Sequence, residues 1–85
     1  MTYTYIPRGV CSRQMKIDME NGIIKNVEIL GGCSGNLKGI SRLVAGMEID
    51  DVIARLDGTL CGIKPTSCPD QLAQALKAYK AENNL

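Results

Sequence analysis

Gln14-Met15-Lys16-Ile17-Asp18-Met19-Glu20-Asn21-Gly22-Ile23-Ile24-Lys25-Asn26-Val27-Glu28-Ile29-Leu30 is the stretch on which the fold turns. Its first half alternates. Met15, Ile17 and Met19 fall on one side, and Gln14, Lys16, Asp18 and Glu20 on the other, which is the period of a half-buried strand. Asn21-Gly22 is a strong turn signal, and beyond it Val27 and Ile29 share a face. A two-residue turn pairs Met19 with Ile24 and Ile17 with Asn26, and sets Glu28 opposite Met15, mixing charge with apolar surface. A three-residue turn, with glycine in the left-handed conformation, brings Val27 and Ile29 beside the Met15/Ile17/Met19 set and is therefore expected.

Upstream, Thr2–Ile6 is short, β-prone and ended by Pro7, as an edge strand or extended arm would be. Arg8–Ser12 follows as a loop. Downstream, Gly31–Asn36 closes a strand and opens a helix from Leu37 to about Ala45. Leu37, Ile40, Leu43 and Val44 recur there at helical spacing, and Gly46 is a stop. A second helix covers Ile49–Leu56, with Ile49, Val52, Ile53 and Leu56 as its buried stripe. Asp50 and Asp51 lie in its first turn, where the helix dipole favours carboxylates. Asp57-Gly58 breaks it, and Thr59–Thr66 is a connector carrying Cys61 and Pro65. A third helix, Gln71–Lys80, buries Leu72, Ala75, Leu76 and Tyr79 and turns Gln74, Lys77 and Lys80 to water; from Glu82 onward the chain frays. Strands first and helices afterwards read as α+β: a small antiparallel sheet of two to three strands with three helices packed on one face. The 85 residues make one domain.

A domain this small buries only roughly 60% of its unfolded surface. With no Trp or Phe and three Tyr, its core is built from Ile, Leu, Val, Met and Ala. The net charge of +1 and the scattered Lys and Arg give no basic run, which argues against nucleic acid as a partner. Met1–Tyr5 has neither the basic nor the apolar region of a signal peptide. No apolar run approaches the ~20 residues of a membrane span. A cytoplasmic protein is the expectation, and in that compartment four cysteines point to metal or redox use before structural disulfides. Histidine is absent, which removes Cys–His zinc fingers and every histidine-based acid, base or nucleophile pair.

The cysteines are spaced Cys11-x21-Cys33-x27-Cys61-x6-Cys68, with no CxxC pair. Their settings say more than their spacing. Cys11 precedes a strand, Cys33 joins a strand to a helix, and Cys61 and Cys68 flank the connector into the last helix. None sits inside an apolar stripe, the usual place of an inert buried thiol. Ser67 is a good N-cap with Asp70 three residues on, and Pro69 lies in the first turn, where its missing N–H costs nothing. Cys68 thus stands where helix N–H groups and the positive end of the dipole welcome negative charge. Three readings are open: a shared metal or cluster site, for which all-thiolate ligation selects zinc or iron–sulfur; a redox dithiol of Cys61 and Cys68; and separately packed small side chains. The glycines Gly31, Gly32 and Gly35 match neither a dinucleotide fingerprint nor a P-loop and serve better to fold the backbone around Cys33.

Gly31-Gly32-Cys33-Ser34-Gly35-Asn36 followed by Gly39-Ile40, together with Thr66-Ser67-Cys68-Pro69-Asp70, resembles the small four-cysteine bacterial proteins of the TSCPD-domain family, named for that pentapeptide. A related domain forms a C-terminal extension of adenosylcobalamin-dependent ribonucleotide reductases. The resemblance implies a detached tail or accessory module, with ribonucleotide reductase or iron–sulfur machinery as partner. Any ribonucleoside-diphosphate reductase label would follow from domain association, because 85 residues are too few for the reductase barrel.

Cys11 before an alternating strand, the Asn21-Gly22 hairpin, Gly32-Cys33 opening a helix, Leu43-Val44-Ala45-Gly46 leading to Ile49-Asp50-Asp51, and Cys68 opening the last helix are also similar, more distantly, to NifU-type iron–sulfur scaffolds. That likeness implies an α+β fold in which Cys11, Cys33 and Cys68 are the scaffold cysteines. The scaffolds keep an acidic residue where this chain has Arg13 and a histidine where it has Ser67; Cys61 is an added thiol. With these departures the implied site is a non-catalytic one of Cys11, Cys33, Cys61 and Cys68, holding zinc or an iron–sulfur cluster stably. The runner-up is a thiol–disulfide partner in ribonucleotide reduction.

Overall fold

A computed structural model describes residues 2–10, 12–31, 34–60, 62–63 and 65–84. Three strands, β1 (Thr2–Tyr5), β2 (Ser12–Glu20) and β3 (Ile23–Gly31), form an antiparallel sheet in the order β1-β2-β3. Three helices follow: α1 (Ser34–Val44), α2 (Ile49–Leu56) and α3 (Cys68–Glu82). The α+β architecture is the one the sequence implies. The second helix has the expected bounds, while α1 begins earlier and α3 extends in both directions.

The hairpin corrects the expected turn. Asn21 and Gly22 alone connect the strands, with φ of 55° and 78°, and Glu20 pairs with Ile23 and Met19 with Ile24. Two consecutive left-handed residues suit the twist of a tight hairpin, and Asn-Gly is the pair that tolerates them best. The register then shifts between Met19/Ile24 and Asp18/Asn26, leaving Lys25 as an extra residue on β3. This bulge, rather than a longer turn, brings Val27 opposite Ile17 and Ile29 opposite Met15. The apolar faces meet as expected, by a different device.

A second shift, between Ser12/Gly31 and Gln14/Leu30, makes Arg13 the extra residue on β2. Arg13 is exposed and Gln14 half-buried, while Ser12 and Met15 are both buried although three positions apart. Strict alternation would have turned Arg13 toward the core and Ser12 out. The bulge reverses this.

The sheet's inner face carries Met15, Ile17, Met19, Ile24 and Val27 into one cluster with Val44, Ile49, Val52, Leu72, Ala75 and Leu76. The linker between α1 and α2 is tied to the turn end of the hairpin. Gly46, at φ +88°, donates its N–H to Ile24 O at 2.7 Å, Ile24 donates to Met47 O at 2.9 Å, and Ile49 donates to Gly22 O at 2.9 Å. Leu43 departs from the expected stripe: it is 73% exposed, whereas Leu37 and Val44 are buried. The third helix is more deeply embedded than a one-sided stripe implies, with Asp70–Ala73, Ala75 and Leu76 all buried and Gln74 half-buried. No helix among the described residues is long and apolar enough to cross a membrane.

Candidate functional site

The start of α3 is built from the pentapeptide 66–70, each residue with a separate task. Ser67 is extended, at φ −150° and ψ 171°, and its hydroxyl oxygen accepts the Asp70 N–H at 3.2 Å, the capping bond expected of it. The same hydroxyl donates to the carbonyl of Thr59. Cys68 follows as the first helical residue, half-buried and a free thiol. Pro69 comes next, its pyrrolidine ring fitting the fixed φ of a first turn.

Thr66 and Asp70 form the inner side of this start. Thr66 Oγ1 donates to Asp70 Oδ2 at 2.5 Å, and the Gly58 N–H donates to Asp70 Oδ1 at 2.7 Å, with Gln74 Nε2 adding a longer bond of 3.3 Å. Asp70 is only 6% exposed, yet these donors, the Thr66 hydroxyl foremost, and the positive charge of Lys77 hold its carboxyl below the ordinary aspartate range against the cost of burial. Gln71 completes the network: its Nε2 donates to Thr66 Oγ1 at 3.0 Å, and its Oε1 accepts the Arg8 N–H at 3.0 Å and, more weakly, the Tyr5 hydroxyl at 3.4 Å. Among the described residues no buried polar side-chain atom lacks a hydrogen-bond partner.

Gly9 lets the loop before β2 approach this network. Its φ is +72°, and a Cβ there would lie 3.2 Å from Thr66 Cγ2. Across the loop, Ser12 Oγ lies 3.4 Å from Cys68 Sγ. Four stretches of chain are therefore linked here: 66–71 themselves, residues 8, 9 and 12 and residues 58–59 that touch them, and Gly31 through its pairing with Ser12.

Of the four cysteines singled out in the sequence, Cys68 is described and stands at the centre of this meeting. Cys11, Cys33 and Cys61 lie outside the described residues. Among the described residues no three acidic or cysteine side chains are grouped to hold a metal ion.

The sequence pattern marks Asp70 only as the residue three after the N-cap Ser67 and does not reveal the network around it. One signal was present: Gln71 lies one helical turn before Ala75, so an amide falls on the apolar face, where only a hydrogen-bonded side chain is tolerated. A groove lies elsewhere, lined by Asn21, Gly22, Glu48, Ile49, Asp50, Tyr79 and Lys80 at the hairpin turn. Its Lys80 and Asp50 are already paired to each other, and nothing there resembles a reaction centre.

The family model of the TSCPD domain matches residues 1–80. No curated protein and no solved structure matches the chain.

Proposed function

We propose that this chain, which belongs to the TSCPD-domain family, is a non-catalytic thiolate module in which Cys11, Cys33, Cys61 and Cys68 hold one zinc ion or iron–sulfur cluster. The observation that carries the reading is the contact of Ser12 and Thr59 with the α3 start, with Gly31 linked to it through Ser12. In sequence, Cys11 stands one residue from Ser12, Cys33 two from Gly31, and Cys61 two from Thr59. Ser12 touches Cys68 and pairs with Gly31, and Thr59 accepts a hydrogen bond from Ser67. Two residues of extended chain span at most about 7 Å, a reach compatible with one site shared with Cys68.

The donor chemistry supports the same choice. Four thiolates without histidine select zinc or an iron–sulfur cluster over harder cations. Asp70, the carboxylate nearest in sequence, is engaged by Thr66, Gly58 and Gln74 inside the fold and is not a free ligand. The working setting we infer is the reducing cytoplasm, where thiols stay available. The partner is a protein of ribonucleotide reduction or of iron–sulfur metabolism. When bound, the metal or cluster would lock the four segments to one another, and its binding energy would add to that of folding.

The test is metal and acid-labile sulfide content after purification without oxygen, on the wild type and each single Cys→Ser variant. Stoichiometric zinc or iron lost in all four variants is the expected result, and sulfide separates cluster from ion. Metal-free wild type, with a disulfide forming in air only while Cys61 and Cys68 are both present, would replace this reading with the thiol–disulfide one.

A further inference from the structure

Ser12 is the polar exception on an apolar face. The other inward residues of β2 are Met15, Ile17 and Met19, each at most 2% exposed, and Ser12 joins them at 4%. A hydroxyl buried among hydrocarbon is costly unless a partner receives it, and here Cys68 Sγ lies 3.4 Å away. The contact depends on the bulge at Arg13, an insertion whose visible effect is to turn Ser12 rather than Arg13 toward the core.

We infer that Ser12 is a positioning residue for the Cys68 sulfur, donating its O–H to the thiolate when that sulfur binds metal. The inference rests on the thiolate-site reading above. A metal-bound thiolate carries no proton, so in that state the hydroxyl donates and the sulfur accepts. Such a bond fixes the direction of the sulfur lone pairs and withdraws charge from the sulfur–metal bond. Hydrogen bonds to sulfur of this kind tune cluster potentials and metal affinity. Serine suits the place because its short side chain reaches the sulfur from a buried strand position. Threonine preserves the donor, whereas alanine preserves the packing and deletes it.

Cobalt(II) loading of the anaerobic protein reads both the affinity and the electronic state of the sulfurs. Wild type, Ser12→Ala, Ser12→Thr and Cys68→Ser are titrated with cobalt against a competing chelator while the thiolate-to-cobalt charge-transfer absorption is recorded. In Ser12→Ala that band moves to lower energy, because the sulfur is more electron-rich, and affinity falls about tenfold; Ser12→Thr restores both. Cys68→Ser loses part of the charge-transfer intensity. A wild-type band and affinity in Ser12→Ala, with Cys68→Ser altered, overturns the role of Ser12 and leaves the thiolate site standing. Absence of thiolate-to-cobalt absorption in the wild type overturns both.

Discussion

Thr66 Oγ1 donates to Asp70 Oδ2 at 2.5 Å, a bond between the first and last residues of the pentapeptide that opens α3. With the Gly58 N–H on the other oxygen, Asp70 ties the end of α2 to the beginning of α3 through a single buried carboxylate. The Cys68 sulfur owes its placement to this clamp as much as to the helix cap.

Asp70→Asn puts an amide N–H₂ where either the Thr66 hydroxyl or the Gly58 and Gln74 N–H groups now point, so buried donors face each other or the Thr66 hydroxyl must turn away. The expected cost at neutral pH is about 1–3 kcal/mol, read as a lower urea midpoint. The pH dependence has a definite sign. Because its folded-state pKa is depressed, the Asp70 contribution is present above the unfolded value of 3.8 and is lost as pH falls through the folded one. The gap between wild type and variant should therefore close on acidification. Equal midpoints at neutral pH would remove Asp70 from the account.

Tyr3 joins the two ends of the fold. Its hydroxyl donates to the Glu82 carboxylate, and its ring meets Tyr79 edge-on with centroids 5.5 Å apart. The hydrogen bond to Glu82, burial and the Glu82 charge push its pKa from 10.0 up to about 12. Stability from this bond is complete below the unfolded value of 10.0 and is lost as pH rises toward about 12. In a phenolate absorbance titration, Glu82→Gln should bring the highest tyrosine step down, and Tyr3→Phe should delete it. A highest step that survives Tyr3→Phe would assign it to another tyrosine.

Deleting Lys25 should leave every strand pair intact, because Lys25 is the residue that β2 does not match. Nuclear Overhauser contacts between Met19 and Ile24, and between Ile17 and Val27, are expected to persist, at a stability cost of about 1 kcal/mol or less. Deleting Val27 instead brings Asn26 or Glu28 opposite Ile17 and should cost roughly 2–5 kcal/mol. Comparable losses for the two deletions would refute the bulge.

Much of the fold is legible in the residue pattern because burial imposes periodicity. Met15/Ile17/Met19 reads as a strand, Ile49/Val52/Ile53/Leu56 as a helix, and Ser67 with Pro69 as a helix start. The hairpin register was less accessible, since one extra residue in the turn and one extra in the strand bring the same apolar pairs together. Lys25-Asn26, two polar residues in succession between Ile24 and Val27, is the sign of the second solution, because both face outward opposite Asp18. Leu43 misled because helical spacing cannot tell which apolar residue at the margin of a stripe meets a neighbour. Of the candidate site, the special position of Cys68 could be read from its cap and dipole. The partnership with Ser12 could not, because it depends on a bulge that reverses the face of a strand residue.

The sheet described above has two free rims, and each is blunted. At one rim β1 spans only four residues and is followed by Ile6 and Pro7. At the other, β3 is interrupted by the bulged Lys25 and bridged at Ile23 by Glu48. A straight, unpaired rim is a template on which a second chain can add a strand, and a proline, a charged bulge and a covering segment each spoil that template. The insertion that aligns the core of the hairpin thus also guards the domain against growing, strand by strand, into a fibre.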